Sequence, residues 1–463
     1  MHFPQKFFHF FIRLCRFSFG DFEEQEFKKF LCLGCIFALI TGTYWALRSL
    51  KDSIFIQIVD KMHLPYAETV AVFSLFFAVI FYSKLLEKFS REKMLVLLPT
   101  FYGVSTLCFS VVLGIAETLP KEVISTSFFL KSLGYLWYVF VDSFGTLMVA
   151  LFWAFAADTT DPISAKKGFP FIVAVGQLGG ILFPFIASLP YYLHLQSDML
   201  SMTILGVLCL CIVPFVKYFL RITPASLLAS FGHKKYSKEQ KITKPQLLDG
   251  LKLLLSKRYL LGIFSLIFIY EFLVTIFDFN FKIAAGTAYS GVSLSNYLSM
   301  YASSINAITM FFLLFGISNI TRFLGLRVAL TCMPVLLAVS LLGFLMLDSL
   351  SFLFVLMVIS KSLNYALNGP ALKQLYIPTT TQARFKAQAW IETFGSRASK
   401  EIGALFNMSL QPLQSIFGAL VGKSYYLMLA GILGFPIVMG CLLVALYLGK
   451  RYDEAISSQK IIC

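Results

Sequence analysis

A chain of 463 residues is long enough for two or three ordinary soluble domains, yet 58% of it is hydrophobic, only 14% is charged, and its mean hydropathy is +0.78. That composition excludes a soluble globular protein and leaves a polytopic membrane protein, with the lipid bilayer as its surroundings. The net charge of +15 would suit a nucleic-acid binder, but the basic residues follow membrane topology instead, and no nucleic-acid partner is expected.

The first 20 residues, MHFPQKFFHFFIRLCRFSFG, are aromatic and basic without a small-residue cleavage site. They read as an amphipathic stretch on the inner leaflet rather than a signal peptide. Spans of about 20 apolar residues cross a bilayer as helices. Twelve are predicted, near 30–50, 69–86, 94–116, 133–157, 169–190, 200–220, 259–281, 296–317, 326–347, 350–367, 402–422 and 425–448. With the N-terminus inside, 31 of the 39 Lys and Arg fall in inner segments and six in outer ones, which predicts both termini cytoplasmic. A bacterial inner membrane is the expected location.

The longest polar stretch, 221–258, contains HKKYSKEQKITK and has six predicted spans on either side. This is the plan of two six-helix bundles in a major-facilitator-like, all-α fold. The expected organisation is a cytoplasmic N-terminus (1–29), a first bundle (30–220), a basic loop (221–258), a second bundle (259–449) and a cytoplasmic tail (450–463). Within the second bundle, 371–400 reads as an amphipathic cytoplasmic segment, helix-friendly after Pro378. The cysteines follow no zinc or disulfide spacing, and no phosphate loop, H-E-x-x-H or G-x-S-x-G is present. Neither an enzymatic activity nor a cofactor is indicated, and oligomeric state is not legible.

Ionisable groups inside spans are costly, so they need a partner or a water-filled cavity. Near the end of the first span, Tyr44, Arg48 and Lys51 share a helical face, with Asp52 beside Lys51. In the fourth span Lys131, Tyr135, Tyr138 and Asp142 fall at i, i+4, i+7 and i+11, and Asp142 should find a cation, Arg48 or Lys51. The seventh span repeats those offsets with Glu271, Thr275, Asp278 and Lys282, the last two placed to salt-bridge each other near the surface. In the tenth, Lys361, Asn364 and Asn368 form a shorter stripe, with Lys361 facing Asp142, Glu271 or a ligand. Together the stripes predict a polar cavity rich in cations and accompanied by carboxylates. Such a cavity suits an anionic substrate, with Tyr44, Trp45 and Trp153 as faces that stack a base. The residues alone point to an anion transporter.

Three segments carry a family resemblance. YWALRSLKDSIF (44–55) resembles the first-helix pattern of the bacterial and plastid ATP/ADP translocases, in which an Arg is followed by Asp-Thr-Lys-Asp. LFWAFAADTTDPISAKKGFPFIVAVGQLGGI (151–181) is similar to that family's Phe-Trp-Gly-Phe-Ala-Asn run, whose upstream Glu falls on Asp142. LKQLYIPTTTQARFKAQAWIETFGSRASKEIGALF (372–406) resembles its Lys-Glu-Met-Ala-Tyr-Ile-Pro segment and Gly-Lys-Ser-Gly-Gly-Ala ending, with Lys400 on the family's Lys. The resemblance implies exchange of ATP for ADP, with Lys51, Asp142 and Lys400 acting in nucleotide recognition or exchange and either Glu271 or Asp278 as the seventh-helix acid. Lys51 and Lys400, one from each half, are expected on the phosphates, with Arg48 and Arg397 as supporting contacts. Asp52 and Lys361 are expected in coupling or gating. Departures fall at 49–50 (Ser-Leu for Asp-Thr), at Asp142 (for Glu) and at 401–402 (Glu-Ile for Ser-Gly). Two other functions are compatible with the residues: proton-coupled import of other nucleotides or phosphorylated metabolites, and a non-transporting scaffold or receptor.

Overall fold

The computed structural model describes residues 22–160, 162–195, 197–223, 247–314, 324–347, 349–380, 387–458 and 461–462. Among them there are helices and turns but no strand. That is what lipid demands, because hydrocarbon supplies no partner for a backbone N–H or C=O and a helix satisfies both within itself. The long helices are α1 (Glu24–Ile58), α2 (Leu64–Lys88), α3 (Arg91–Glu117), α4 (Phe128–Asp158), α5 (Pro162–Ala187), α6 (Asp198–Ile222), α7 (Arg258–Ala288), α8 (Val292–Leu314) and α9 (Gly325–Met346). They are followed by α10 (Leu350–Leu363), which runs on through a π-helical turn at Asn364–Asn368 and a last piece at Gly369–Gln374. The chain then forms α11 (Ser396–Asn407), α12 (Leu410–Phe417) and α13 (Ala419–Ser458).

Eleven helices of the described residues are long and apolar enough to cross a membrane. They match eleven of the twelve expected spans. The expected span at 402–422 is instead divided between α11 and α12, which break at Met408 and Ser409 and are cut off from α13 by Gly418 at φ +84°. At eight residues α12 is too short to span alone, and α11, which continues a π-helical turn at Ile391–Gly395, is not among the spanning candidates of the described residues. Asn407, Ser409, Gln411, Gln414 and Ser415 interrupt the apolar run, and the left-handed backbone at Gly418 is a conformation glycine adopts without a Cβ penalty.

Several helices outrun their apolar runs. The first span is expected to stop at residue 50, but α1 continues to Ile58, so Lys51 and Asp52 lie inside a helix rather than at its exposed end. Likewise α7 continues to Ala288 and encloses Lys282. Helix propensity and buried partners carry a helix past the point where hydropathy falls. The amphipathic reading of the first 20 residues falls outside the described residues, as do the 233–244 charge run and 381–386.

The chain forms two compact units. One comprises Met1–Val59, Phe73–Gln240 and Tyr289–Ala307; the other comprises Asp60–Val72, Lys241–Ala288 and Ile308–Cys463. The core of the first is aromatic, with Trp137, Phe144, Phe152 and Phe155 almost wholly buried. That of the second gathers Tyr259, Leu260, Leu330, Leu375, Ile391 and Leu448. Apolar area drives little helix association within lipid, so close backbone approach matters more. In the first unit α1 and α5 meet at Gly42 and Gly179: a Cβ on Gly42 would lie 2.7 Å from the Gly179 carbonyl oxygen, and one on Gly179 would collide with the backbone of Ala38. The described cysteines are free thiols.

Candidate functional site

In the first unit the polar stripe of α4 faces the basic end of α1. Asp142 and Tyr138 are one turn apart and present their side chains on the same face. Lys51, only 4% exposed, donates to Asp142 Oδ1 at 2.8 Å and lies 3.9 Å from Asp52 Oδ1. Its ammonium also stands 3.6 Å from the centre of the Tyr138 ring, where the negative face of the π system attracts a cation. Phe55, fully buried, meets Tyr135 and Tyr138 edge-on at 5.1 and 5.4 Å and fixes that wall. Sequence spacing leaves Arg48 and Lys51 as alternative cations for Asp142, and Lys51 takes the place.

Arg48 lies over the Trp45 ring at 5.4 Å. Tyr44 packs against Gly145, where a Cβ would strike its ring, and is 6.1 Å from Trp45 between centroids. Trp153, the other aromatic considered for base stacking, is packed among Phe37, Phe152 and Phe169, about three helical turns along α4 from Asp142. Ser49, where the resembled pattern carries an acid, donates to the carbonyls of Trp45 (3.1 Å) and Leu298 (3.2 Å). A carboxylate has no proton for those oxygens, so the departure at 49 answers to its neighbours.

In the second unit α7 carries the acids. Asp278 is 8% exposed and accepts from two lysines, Lys361 at 2.5 Å on Oδ1 and Lys282 at 3.0 Å on Oδ2. The Asp278–Lys282 contact at i, i+4 is as expected, but it is buried rather than superficial, because α7 continues past it. The expected partners of Lys361 are Asp142, Glu271 or a ligand. It meets Asp278 instead, which lies two turns along α7 from Glu271 and nearer the level of Lys361. Glu271 accepts from Ser396 at 3.2 Å and lies 3.5 Å from Lys400, both on α11. Lys400 is the exposed member of the site, with 53% of its side chain accessible, and Arg397 is half-buried one turn earlier. Both candidate acids of α7 thus hold lysines.

Two participants escape a reading of the sequence. Glu68 lies 3.8 Å from Lys282, and Thr69 donates to Glu401 at 2.7 Å. Both precede or open the apolar run of α2. The signal that could have found them is the Leu64-Pro65 start, since proline is favoured in a first helical turn. A neutral chain also runs through the second unit: Asn280 donates to the Tyr426 hydroxyl at 3.0 Å, which donates to Asn407 at 2.7 Å.

The family model described as TLC ATP/ADP transporter matches residues 11–452. The chain belongs to this family. It is 24% identical over 461 residues to ADP,ATP carrier protein 1 of Rickettsia prowazekii (strain Madrid E), covering 87% of this chain and 90% of that one. ADP,ATP carrier protein 3 of the same organism is 23% identical over 442 residues, with 82% and 87% covered. Among solved structures, a POT family transporter in complex with 5-aminolevulinic acid superposes with a TM-score of 0.63 at 12% identity over 91% of this chain and 96% of that one. The nucleoside transporter NupG gives 0.60 at 14% identity over 90% and 98%. At such identities the likeness carries the fold, a multi-pass, major-facilitator-like transporter fold. Family and fold neighbours alike are transporters.

Proposed function

We propose that this chain is a nucleotide transporter that exchanges ATP for ADP across a bacterial inner membrane by alternating access, both termini cytoplasmic. The nucleotide crosses unchanged and no chemical step is involved. The observation that carries the reading is the engagement of Lys51 and Lys400 by carboxylates that an anion could replace.

ATP carries several negative charges, and taking it out of water requires replacement cations. Lys51 and Lys400 contact its phosphates in this reading, with Arg48 and Arg397 supporting them and Tyr44 against the base. Asp142, Asp52, Glu271, Asp278 and Lys361 are the coupling groups. Phosphate displaces Asp142 from Lys51 and Glu271 from Lys400, then leaves and returns the lysines to their acids. Breaking the pair of buried Lys51 with Asp142 without replacement is costly, whereas the exposed Lys400–Glu271 pair is weak. A carrier without nucleotide is therefore held by its own pairs, and the step that reorients it is fast only when nucleotide stands in for the carboxylates. Obligatory exchange follows.

The test is uptake of radiolabelled ATP into intact cells making the protein, followed by excess unlabelled ADP. Rapid efflux of label is expected. Uptake that ADP does not chase and that collapses with the proton gradient would replace exchange by proton-coupled import.

A further inference from the structure

We propose that Lys282 and Lys361 form a phosphate-binding subsite within the second unit, and that Asp278 holds the two lysines until substrate displaces it. The inference rests on the nucleotide-transport reading and extends it to two lysines that the reading leaves without a substrate contact.

The geometry is that of an anion site already filled. One carboxylate bridges two ammonium groups through opposite oxygens, Lys361 at 2.5 Å and Lys282 at 3.0 Å. A phosphoryl group presents oxygens at comparable spacing and with more charge, so it can bridge the same two cations. All three side chains are almost fully buried, with 7%, 8% and 11% of the side chain accessible for Lys282, Lys361 and Asp278. Two lysines are desolvated there around a bridging acid, at a cost that a merely structural i, i+4 pair would not require. The first unit has the reverse arrangement, with Lys51 between two acids, Asp142 and Asp52. Of the two clusters, the one in the second unit has the cation arrangement suited to an incoming polyanion. Glu68 approaches Lys282 at 3.8 Å, so this lysine has a second acid within reach when Asp278 is displaced.

The local backbone agrees. Lys361 shortly precedes the π-helical turn Asn364–Asn368, in which Asn368 donates to Asn364 at 2.8 Å. π-turns within α-helices are frequent at functional sites because the extra residue re-aims the side chains around it. Here the turn follows the lysine that reaches across to α7.

The test uses the purified full-length protein and three probes without a base: inorganic phosphate, pyrophosphate and tripolyphosphate. Thermal stabilisation as a function of probe concentration gives an apparent affinity for each. Tripolyphosphate should stabilise the native protein. Lys361→Gln and Lys282→Gln should each weaken it at least tenfold, while Asp278→Asn, which removes the competitor, should tighten it several-fold and slow ATP/ADP exchange. Lys282→Gln keeps the Asp278–Lys361 pair, so it remains informative if Asp278→Asn does not fold. Unchanged tripolyphosphate affinity in both lysine variants overturns the subsite, as does weaker binding in a folded Asp278→Asn protein. The readouts separate the two claims. If tripolyphosphate binds through Lys282 and Lys361 while cells take up no ATP, the subsite stands and the nucleotide reading fails. If exchange proceeds and the lysine variants bind tripolyphosphate normally, the subsite alone is lost.

Discussion

Lys51 is held between the carboxylate of Asp142, 2.8 Å away, and the face of the Tyr138 ring, 3.6 Å away, both supplied by one turn of α4. The arrangement surrounds an ammonium inside a helix bundle with groups that attract it, one of which an anion can replace. Lys51→Ala takes that cation away from Asp142 at a half-buried position. ATP uptake should fall at least a hundredfold while the protein still reaches the membrane, read by uptake alongside immunodetection in membranes. Transport at the native rate would remove Lys51 from the site.

The ring can be tested apart from the ion pair. Tyr138→Leu keeps the Lys51–Asp142 contact and removes the π face, worth about 0.5–2 kcal/mol for a cation over an aromatic ring. By the usual conversion this is roughly a 2- to 30-fold change in an equilibrium constant. The concentration of ATP giving half-maximal uptake should shift within that range. Tyr138→Phe, which retains the ring, should shift it little. Equal effects of the two variants would assign the role to the hydroxyl instead.

Lys400 differs from Lys51 because it is exposed. Its ion pair with Glu271, at 3.5 Å with half the lysine in contact with solvent, should contribute only about 0–1 kcal/mol to stability. Lys400→Ala should therefore leave the melting temperature within a few degrees of native and still abolish most uptake. A large loss of stability with uptake preserved would make the pair structural.

The close approach of α1 and α5 predicts a folding defect rather than a transport defect. Gly179→Leu places a side chain where the backbone of Ala38 already lies, and overpacking of this kind typically costs about 1–3 kcal/mol or more. The variant should accumulate poorly in membranes, whereas Gly440→Ala, at a position with open space around it, should accumulate normally.

The fold is largely legible in the sequence because lipid imposes length and apolarity on every spanning helix, and eleven runs declare themselves that way. The stretch at 402–422 misleads because hydropathy registers composition, whereas the breaks at Met408–Ser409 and Gly418 are matters of backbone conformation. Spacing along a helix places Asp142 beside Tyr138 and Asp278 beside Lys282. Spacing is blind to which helix lies opposite, so it leaves the cation for Asp142 open and misses Asp278 as the acid met by Lys361. Glu68 escapes for a related reason: it belongs to the first turns of α2, before the apolar run begins, and only tertiary packing brings it within 3.8 Å of Lys282.

Tyr426 ties three helices of the second unit together through one hydroxyl. The side chain is fully buried, and its hydroxyl accepts from Asn280 on α7 at 3.0 Å and donates to Asn407 on α11 at 2.7 Å. Asn407 in turn donates to the Thr275 carbonyl at 3.2 Å, close to the acids of α7. Tyr426→Phe preserves the ring and its packing against Phe406, at 5.2 Å between centroids, while removing the hydroxyl that both amides use. An unsatisfied buried polar group costs about 1–3 kcal/mol. The melting temperature of the purified protein should drop by several degrees, with ATP half-saturation within about threefold of native in the folded fraction. If the order is reversed, with stability unchanged and half-saturation shifted tenfold, then the Tyr426 hydroxyl belongs to the substrate site and Asn280 and Asn407 are its positioning residues.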